Sequence, residues 1–372
     1  MHRRSFLKQS GLAAVATQVP GGVFALEKPQ QRIRVGQIGV SHAHATKLEA
    51  YRNSPDYEVV GIVEPSEALR QRAEKTEPFR DLKWLTREQL LATPGLQAVL
   101  VETRVKDLLS NALACVRAGM HIHIDKPAGE SLAQLKQALD TAREKKLMVQ
   151  MGYMYRYNPA VVMLREFLQK GWLGDIFEVH AVMSKVVDVK GRKELAEYPG
   201  GIMFEIGCHV LDLVVGILGK PQSVTPFNLH SSPIQDGLQD NMLAVLKYPK
   251  ATATVKSSAM EVDGFARRHL VVCGSEGSFH IQPLDNPGAK IALSQKREAH
   301  PKGVSEVKFP KYTRYADDAA DMAKVIRGEK QAAFSYQHDY DVQEALLQAC
   351  GEKGDVRLPK PPSPEGDRRV AF

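Results

Sequence analysis

Three titratable side chains interrupt one apolar stretch of the sequence, residues 202–218. Glu205, His209 and Asp212 follow one another at spacings of four and three residues, and on an α-helix this spacing places all three on one face. Histidine has an ordinary pKa near neutrality, so His209 suits proton transfer as a general base. Unpaired charges are costly in an apolar setting. The three residues therefore either serve a reaction or form a structural His–Asp network, and the spacing alone leaves both interpretations open.

A lysine follows directly after another apolar segment, residues 121–124, which is typical of a strand. In open parallel sheets, ligands bind at the carboxyl ends of the strands, and Lys126 would stand at such an end. Pro127 restricts the backbone of the residue before it, so the sequence holds this lysine in a narrow range of conformations. A surface lysine at the start of a turn is the alternative.

The segment RVGQIGVSHAH, residues 34–44, lies where a predicted strand meets a predicted helix. Dinucleotide-binding turns carry the pattern G-x-G-x-x-G at such a junction, because backbone N–H groups must reach a pyrophosphate. Gly39 fits the first position, whereas Ser41 and His44 occupy the second and third. Glu64 ends the next predicted strand, where an acid accepts hydrogen bonds from an adenosine ribose and disfavours a 2′-phosphate. The pattern predicts NAD in preference to NADP; a plain turn with a surface Glu64 is the alternative.

Two histidines in this turn, His42 and His44, raise the question of a metal site. Two histidines separated by one residue, with no adjoining acid or cysteine, are poor ligand geometry on their own. The sequence therefore predicts no metal. We expect His42 and His44 to hydrogen-bond a phosphate or ribose, or to cap the following helix.

The elements that must position these residues fall into two groups. Predicted strands and helices alternate over residues 32–150, and the strands are apolar on both faces. This rhythm predicts an α/β fold with a doubly wound parallel sheet. Several β-rich segments backed by a few helices over residues 151–350 predict a second, α+β domain with a largely antiparallel sheet. Residues 351–372 form a short tail.

Composition narrows the class of protein. The 372 residues are 43% hydrophobic and 25% charged, an ordinary globular composition. The four cysteines are far apart and form no C-x-x-C pair, which argues against a zinc finger or a disulfide scaffold. No apolar run approaches the roughly 20 residues of a membrane span. The formal net charge of +7 accompanies no basic and aromatic stripe, so we expect no nucleic-acid partner.

The first 25 residues predict an export signal. The sequence RRSFLK begins at Arg3 and precedes a weakly apolar stretch of small residues that ends at Ala25. This order closely resembles a twin-arginine signal, which a receptor of the export machinery reads. Residues 1–25 contain three cations and no acid, so their removal lowers the net charge to +4. The prediction is a periplasmic protein; a basic N-terminal helix is the alternative.

Two motifs together resemble the glucose–fructose oxidoreductase / inositol dehydrogenase / MocA (Gfo/Idh/MocA) family. They are Asp125-Lys126-Pro127, where the family has Glu-Lys-Pro, and Glu205-x-Gly207-x-His209-x-x-Asp212, where the family more often begins with Asp. The resemblance covers residues 32–350. It implies a Rossmann domain over residues 32–150, and over 151–350 a domain for substrate binding and oligomerisation with a large open, mostly antiparallel sheet. A homodimer or homotetramer is expected from such a sheet.

The resemblance also implies roles for individual residues. Lys126 and His209 would be the catalytic pair, with Glu205 orienting substrate or His209. A family segment that lines the substrate pocket matches residues 154–159, so substrate contacts would come from Tyr155 and Arg156. Asp212, in the second motif, is also expected to contact substrate. A helix-initiating Asn-Pro with exposed aromatic residues is the alternative for that segment. The residues expected to bind the cofactor are Gly39, Ser41, His42, Glu64, Thr103, Asp125 and Lys126.

These observations predict an NAD-dependent enzyme that acts on a hydroxyl group of a sugar, glycoside or polyol. Because no soluble nicotinamide pool exists outside the cytoplasm to recycle the cofactor, the cofactor of an exported enzyme should stay bound through turnover. The chemistry would be either net oxidoreduction or a redox-neutral reaction through a transient keto-sugar. The alternative is a non-catalytic sugar- or nucleotide-binding protein that retains the fold, because a fold alone does not prove an activity.

Overall fold

A computed structural model describes residues 31–42, 44–310 and 312–351 of the chain. The predicted export signal, residues 1–25, and the predicted tail, residues 351–372 apart from Gly351, lie outside the described residues. No helix in the described part of the chain is long and apolar enough to cross a membrane.

The first part of the chain alternates strands and helices. Its elements are β1 (Ile33–Ile38), α1 (Leu48–Asn53), β2 (Tyr57–Val63), α2 (Glu67–Ala73), α3 (Arg87–Leu91), β3 (Ala98–Val101), α4 (Val105–Arg117), β4 (His121–Ile124), α5 (Leu132–Glu144) and β5 (Val149–Met151). The five strands form a parallel sheet in the order β2-β1-β3-β4-β5. All four residues of β3 are fully buried, as expected for a strand covered by helices on both faces.

The second part of the chain is built around a larger sheet. Its elements are α6 (Pro159–Gln169), β6 (Ile176–Val182), α7 (Val189–Ala196), α8 (Cys208–Leu218), β7 (Ser223–Leu229), β8 (Asn241–Lys247), β9 (Thr252–Ser258), α9 (Gly264–Arg267), β10 (His269–Gly274), β11 (Gly277–Ile281), β12 (Gly288–Leu293), β13 (Gly303–Lys308), α10 (Ala316–Ile326) and α11 (Tyr336–Ala349). Eight strands lie in the order β13-β12-β11-β10-β6-β9-β8-β7. Only the central pair β6 and β9 is parallel among the described strands of this sheet. The predicted fold class is confirmed.

Helix α11 connects the two parts of the molecule, because it packs against α5 and against α8. Its Gln343 is fully buried. The side chain accepts a hydrogen bond from Ala128 N at 3.1 Å and donates one to Gly129 O at 2.6 Å. These two contacts fix the loop that follows β4. Lys126 lies at the start of that loop.

The stretch predicted as one α-helix, residues 202–218, is two kinds of helix. A π-helix (Met203–Gly207) precedes α8 and contains Glu205. A π-helix widens the turn by one residue and is often found at functional sites. Glu205 therefore lies in the π-helix, whereas His209 and Asp212 lie in α8. The prediction of one continuous α-helix is wrong, and a shared face of acid, base and acid stays a prediction.

Candidate active site

The turn after β1 approaches the end of β3 closely. Gly39 has a φ of +96°, and a Cβ atom at this position would lie 2.6 Å from the carbonyl oxygen of Glu102. Only glycine fits, because a side chain would meet backbone and the left-handed conformation disfavours other residues. The first position of the dinucleotide pattern is thus required by the local geometry, although the other two positions carry side chains.

A cavity of about 1130 Å³ opens beside this turn, slightly larger than the roughly 300–1,000 Å³ typical of small-molecule sites. Four predicted cofactor residues line it: Gly39, Ser41, Glu64 and Thr103. The Glu64 carboxylate accepts hydrogen bonds from Val40 N at 3.2 Å and from Ser66 N at 2.9 Å. These hydrogen bonds hold the Glu64 carboxylate beside the turn after β1. Its contact with a ribose stays a prediction. The cavity is large enough for an adenine nucleotide.

Lys126 lies at the end of β4 and is 1% exposed. Its ammonium group donates to Glu205 Oε1 at 2.7 Å and to Glu205 O at 2.8 Å. Burial by itself lowers the pKa of Lys126, but the Glu205 carboxylate outweighs this, so the pKa lies above its ordinary value. Lys126 is a fixed cation at the sheet edge, and the Glu205 carboxylate in the π-helix balances its charge.

His209 is buried, and its ring meets those of Tyr155 at 5.7 Å, His44 at 6.0 Å and Tyr153 at 6.2 Å between centroids. Burial lowers the pKa of His209 well below its ordinary value, and the neighbouring Lys126 and His44 lower it further. The imidazole is therefore neutral at neutral pH and can accept a proton. Its Nδ1 atom is buried without a hydrogen-bond partner among the described residues.

Two family descriptions match this chain. "Oxidoreductase family, NAD-binding Rossmann fold" matches residues 33–153, and "GFO/IDH/MocA C-terminal domain" matches residues 161–280. The chain belongs to the Gfo/Idh/MocA family of oxidoreductases.

Similar proteins include dehydrogenases of two different substrates. The trans-1,2-dihydrobenzene-1,2-diol dehydrogenase of Bos taurus is 26% identical over 249 residues, which cover 59% of this chain and 73% of that protein. A solved oxidoreductase from Agrobacterium radiobacter, in complex with NAD+, L-tartaric acid and magnesium, aligns with a TM-score of 0.75 at 16% identity, over 88% of this chain and 98% of that one. The UDP-N-acetylglucosamine 3-dehydrogenase of Acidithiobacillus ferrooxidans aligns with a TM-score of 0.71 at 18% identity, over 87% and 98% of the two chains. The two structures show a shared fold.

In this Gfo/Idh/MocA oxidoreductase, Arg156 and Asp212 form a sealed ion-pair network. Arg156 Nη2 donates to Asp212 Oδ1 at 2.6 Å and to Asp339 Oδ1 at 2.7 Å, and His338 Nε2 lies 3.3 Å from Asp212 Oδ1. Arg156 and Asp212 are each 2% exposed. Buried charges need such partners. The predicted substrate contacts of Arg156 and Asp212 do not fit this geometry, which instead fits a structural pair that supports α8.

Tyr155 is placed differently from its neighbour Arg156. Its ring packs on His209, and its hydroxyl donates to Asp285 Oδ1 at 2.9 Å. Asp285 also forms ion pairs with Arg268 and Arg314. Tyr155 therefore connects the imidazole to a charged cluster in the second part of the chain, and it remains a predicted substrate contact.

The main feature that the sequence did not reveal is the environment of Asp125. This carboxylate is buried and contacts His42 Nδ1, with His44 Nδ1 at 3.3 Å. Lys47 Nζ lies 3.1 Å from Asp125 Oδ1 and 3.0 Å from Glu102 Oε1. The acid that the two histidines lacked in the sequence is thus supplied by β4. The available signal was the presence of polar residues within apolar strand segments, Glu102 after β3 and His123 in β4.

The charged groups in this cluster alter one another's pKa values. Burial alone raises the pKa of Asp125, but Lys47 and His42 outweigh burial and hold it well below its ordinary value. Burial lowers the pKa of His44 to about 4, against the opposing effect of Asp125. Burial, together with repulsion from Asp125, raises the pKa of Glu102 to about 7. Asp125 is therefore an anion enclosed by side chains, and its predicted direct contact with a cofactor stays a prediction.

Proposed function

We propose that this oxidoreductase oxidises a hydroxyl-bearing carbon of a sugar, glycoside or polyol, with Lys126 and His209 as its catalytic residues. The observation that carries the proposal is a fixed, buried lysine after the end of β4, close enough to the buried imidazole of His209 to lower its pKa. Support also comes from the dehydrogenases of a dihydrodiol and of a nucleotide sugar among the similar proteins.

The two catalytic residues have complementary tasks. The Lys126 ammonium donates a hydrogen bond to the reacting hydroxyl and stabilises negative charge that develops on its oxygen. His209 takes the hydroxyl proton, because its lowered pKa keeps it unprotonated before the reaction. Glu205 holds Lys126 in place through the 2.7 Å contact. Tyr155 orients the ring of His209.

The cofactor is proposed to be NAD, which accepts or returns hydride when bound. Gly39 and Ser41 would face its phosphates, Thr103 would border it near the end of β3, and Glu64 would hold the adenosine ribose. A 2′-phosphate next to Glu64 would be repelled by the carboxylate, so NADP is the weaker ligand. His42, Asp125 and Lys126 lie at the inner end of the same sheet edge.

Export and assembly complete the proposal. Residues 1–25 direct the folded protein to the periplasm by the twin-arginine route, residues 32–150 bind the cofactor, and residues 151–350 bind substrate and a second copy of the chain. Because free nicotinamide cofactor is absent there, the enzyme carries its cofactor tightly bound. Its reaction then either alternates between two substrates or passes through a transient keto-sugar with no net redox change.

The test is a panel of sugars, glycosides and polyols added to the purified, cofactor-loaded protein, read by nicotinamide absorbance and by product mass. A product with the mass of the substrate, or differing by water, supports the redox-neutral branch. Lys126→Met should abolish turnover and retain NAD binding. Wild-type protein that binds NAD but turns over nothing would favour the non-catalytic binding protein. Wild-type protein that never binds NAD would contradict both.

A further inference from the structure

One ring nitrogen of His42, one of His44 and one carboxylate oxygen of Asp125 all lie within 4.8 Å of one another. Two of these residues come from the turn after β1 and the third from the end of β4. Two imidazoles and one carboxylate form the ligand type found in catalytic zinc sites and in non-haem iron sites. In both, three protein ligands leave other coordination positions open.

Asp125 presents a buried carboxylate oxygen to the histidines. Its Oδ2 faces His42 Nδ1 and has no hydrogen-bond partner among the described residues. Its Oδ1 lies 3.1 Å from Lys47 Nζ and 3.3 Å from His44 Nδ1. Buried polar atoms are normally satisfied, so Oδ2 is available as a ligand atom.

Few lysines face the cluster. Two buried carboxylates, Asp125 and Glu102, share one lysine, Lys47. The neighbouring Lys126 contacts Glu205. Among the described residues the other groups in contact with Asp125 are the imidazoles of His42 and His44, and imidazole nitrogens are common metal ligands.

We propose that His42, His44 and Asp125 bind a divalent first-row transition metal ion of the zinc or iron(II) class. Lys47 Nζ contacts Asp125 Oδ1 at 3.1 Å and fixes the orientation of the carboxylate, as hydrogen-bonded outer partners do in metal sites. The open coordination positions take an oxygen ligand. This inference goes beyond the proposed dehydrogenase function and reverses the sequence-based prediction of no metal.

The experiment is a titration of the full chain with Co²⁺ after chelator treatment, with and without NAD, followed by visible ligand-field absorption. The expected result is one saturable Co²⁺ per chain that Zn²⁺ displaces. His42→Asn and His44→Asn should each lose that binding. The control is His280→Asn, since His280 is exposed on β11, and it should bind as the wild type does.

A second measurement, thermal unfolding, distinguishes loss of the metal site from misfolding of the variants. Co²⁺ should raise the thermal unfolding midpoint of the wild type and of His280→Asn, and leave that of folded His44→Asn unchanged. Absence of saturable binding in the wild type would overturn the proposal, as would wild-type Co²⁺ affinity in both His42→Asn and His44→Asn. Because the readout is metal binding, its failure leaves the Lys126–His209 function untouched.

Discussion

Two buried polar clusters lie along the same stretch, residues 203–218, one around Glu205 and His209 and one around Asp212, and they differ in how completely their atoms are paired. At the Asp212 end, both carboxylate oxygens accept hydrogen bonds from Arg156. At the Glu205 end, Glu205 Oε2 and His209 Nδ1 are buried and have no hydrogen-bond partner among the described residues. Buried polar groups are normally satisfied. The difference therefore separates a cluster that stabilises the fold from one that is arranged for a ligand.

The strongest way to break this comparison is His209→Asn. General acid–base catalysis contributes about 10²–10⁴-fold to a rate, so kcat/KM should fall by about that factor while NAD binding persists. The measurement is steady-state turnover with a substrate from the panel. His280→Asn should retain wild-type turnover, and a loss of only a few-fold in His209→Asn would contradict the assigned role.

Arg156→Met tests the other cluster. It leaves Asp339 without its arginine partner and Asp212 with only the more distant His338, so the free energy of unfolding should fall by about 3–5 kcal/mol. Urea denaturation measures this loss. In the matched variant Arg80→Met, which removes an exposed partner of Glu77, the loss should stay below about 1 kcal/mol. Equal effects of the two substitutions would show that the Arg156 network is not structural.

Asp318, in α10, is another buried carboxyl group with an unpaired atom, and its effect on the stability of the fold depends on pH. It is buried, its Oδ1 has no hydrogen-bond partner among the described residues, and burial raises its pKa to about 7 from 3.8. Because the folded state binds the proton more tightly than the unfolded state, Asp318 lowers stability as pH rises from about 4 through 7.

Asp318→Asn should therefore unfold with a free energy on the order of 2 kcal/mol above wild type at pH 8, and this gain should shrink towards pH 4. Chemical denaturation at several pH values measures the difference. Its exposed neighbour provides the control, because Asp317→Asn should show no such pH dependence. A gain that is constant with pH would exclude the raised pKa as its cause.

The smallest expected effect concerns Glu205. Glu205→Gln removes the charge that raises the pKa of Lys126, so the alkaline limb of kcat/KM against pH should move to lower pH. Glu205→Asp keeps the charge at the position where the family more often has Asp, and we expect a change of less than about tenfold in rate, or about 1.4 kcal/mol. An unmoved alkaline limb in Glu205→Gln would argue against a direct electrostatic role.

Periodicity and local motifs were enough to predict the parallel sheet and to single out Lys126 and His209, because both signals are local in sequence. The network around Arg156 was not predictable, since Asp339 lies 183 residues further along the chain. The π-helix at Met203–Gly207 was missed because hydrophobic spacing does not distinguish it from an α-helix. Asp125 was named from its motif, but only the pairing of strands through β3 brings it to His42 and His44.

The contacts of Gln343 have a consequence for the order of synthesis. This residue lies in α11, near the end of the described chain, and it provides hydrogen bonds to both Ala128 and Gly129 beside Lys126. A ribosome makes the Lys126 loop long before it makes α11. The loop gains these two hydrogen bonds only after α11 has left the ribosome and docked, so we expect the Lys126 region to be stabilised late in synthesis.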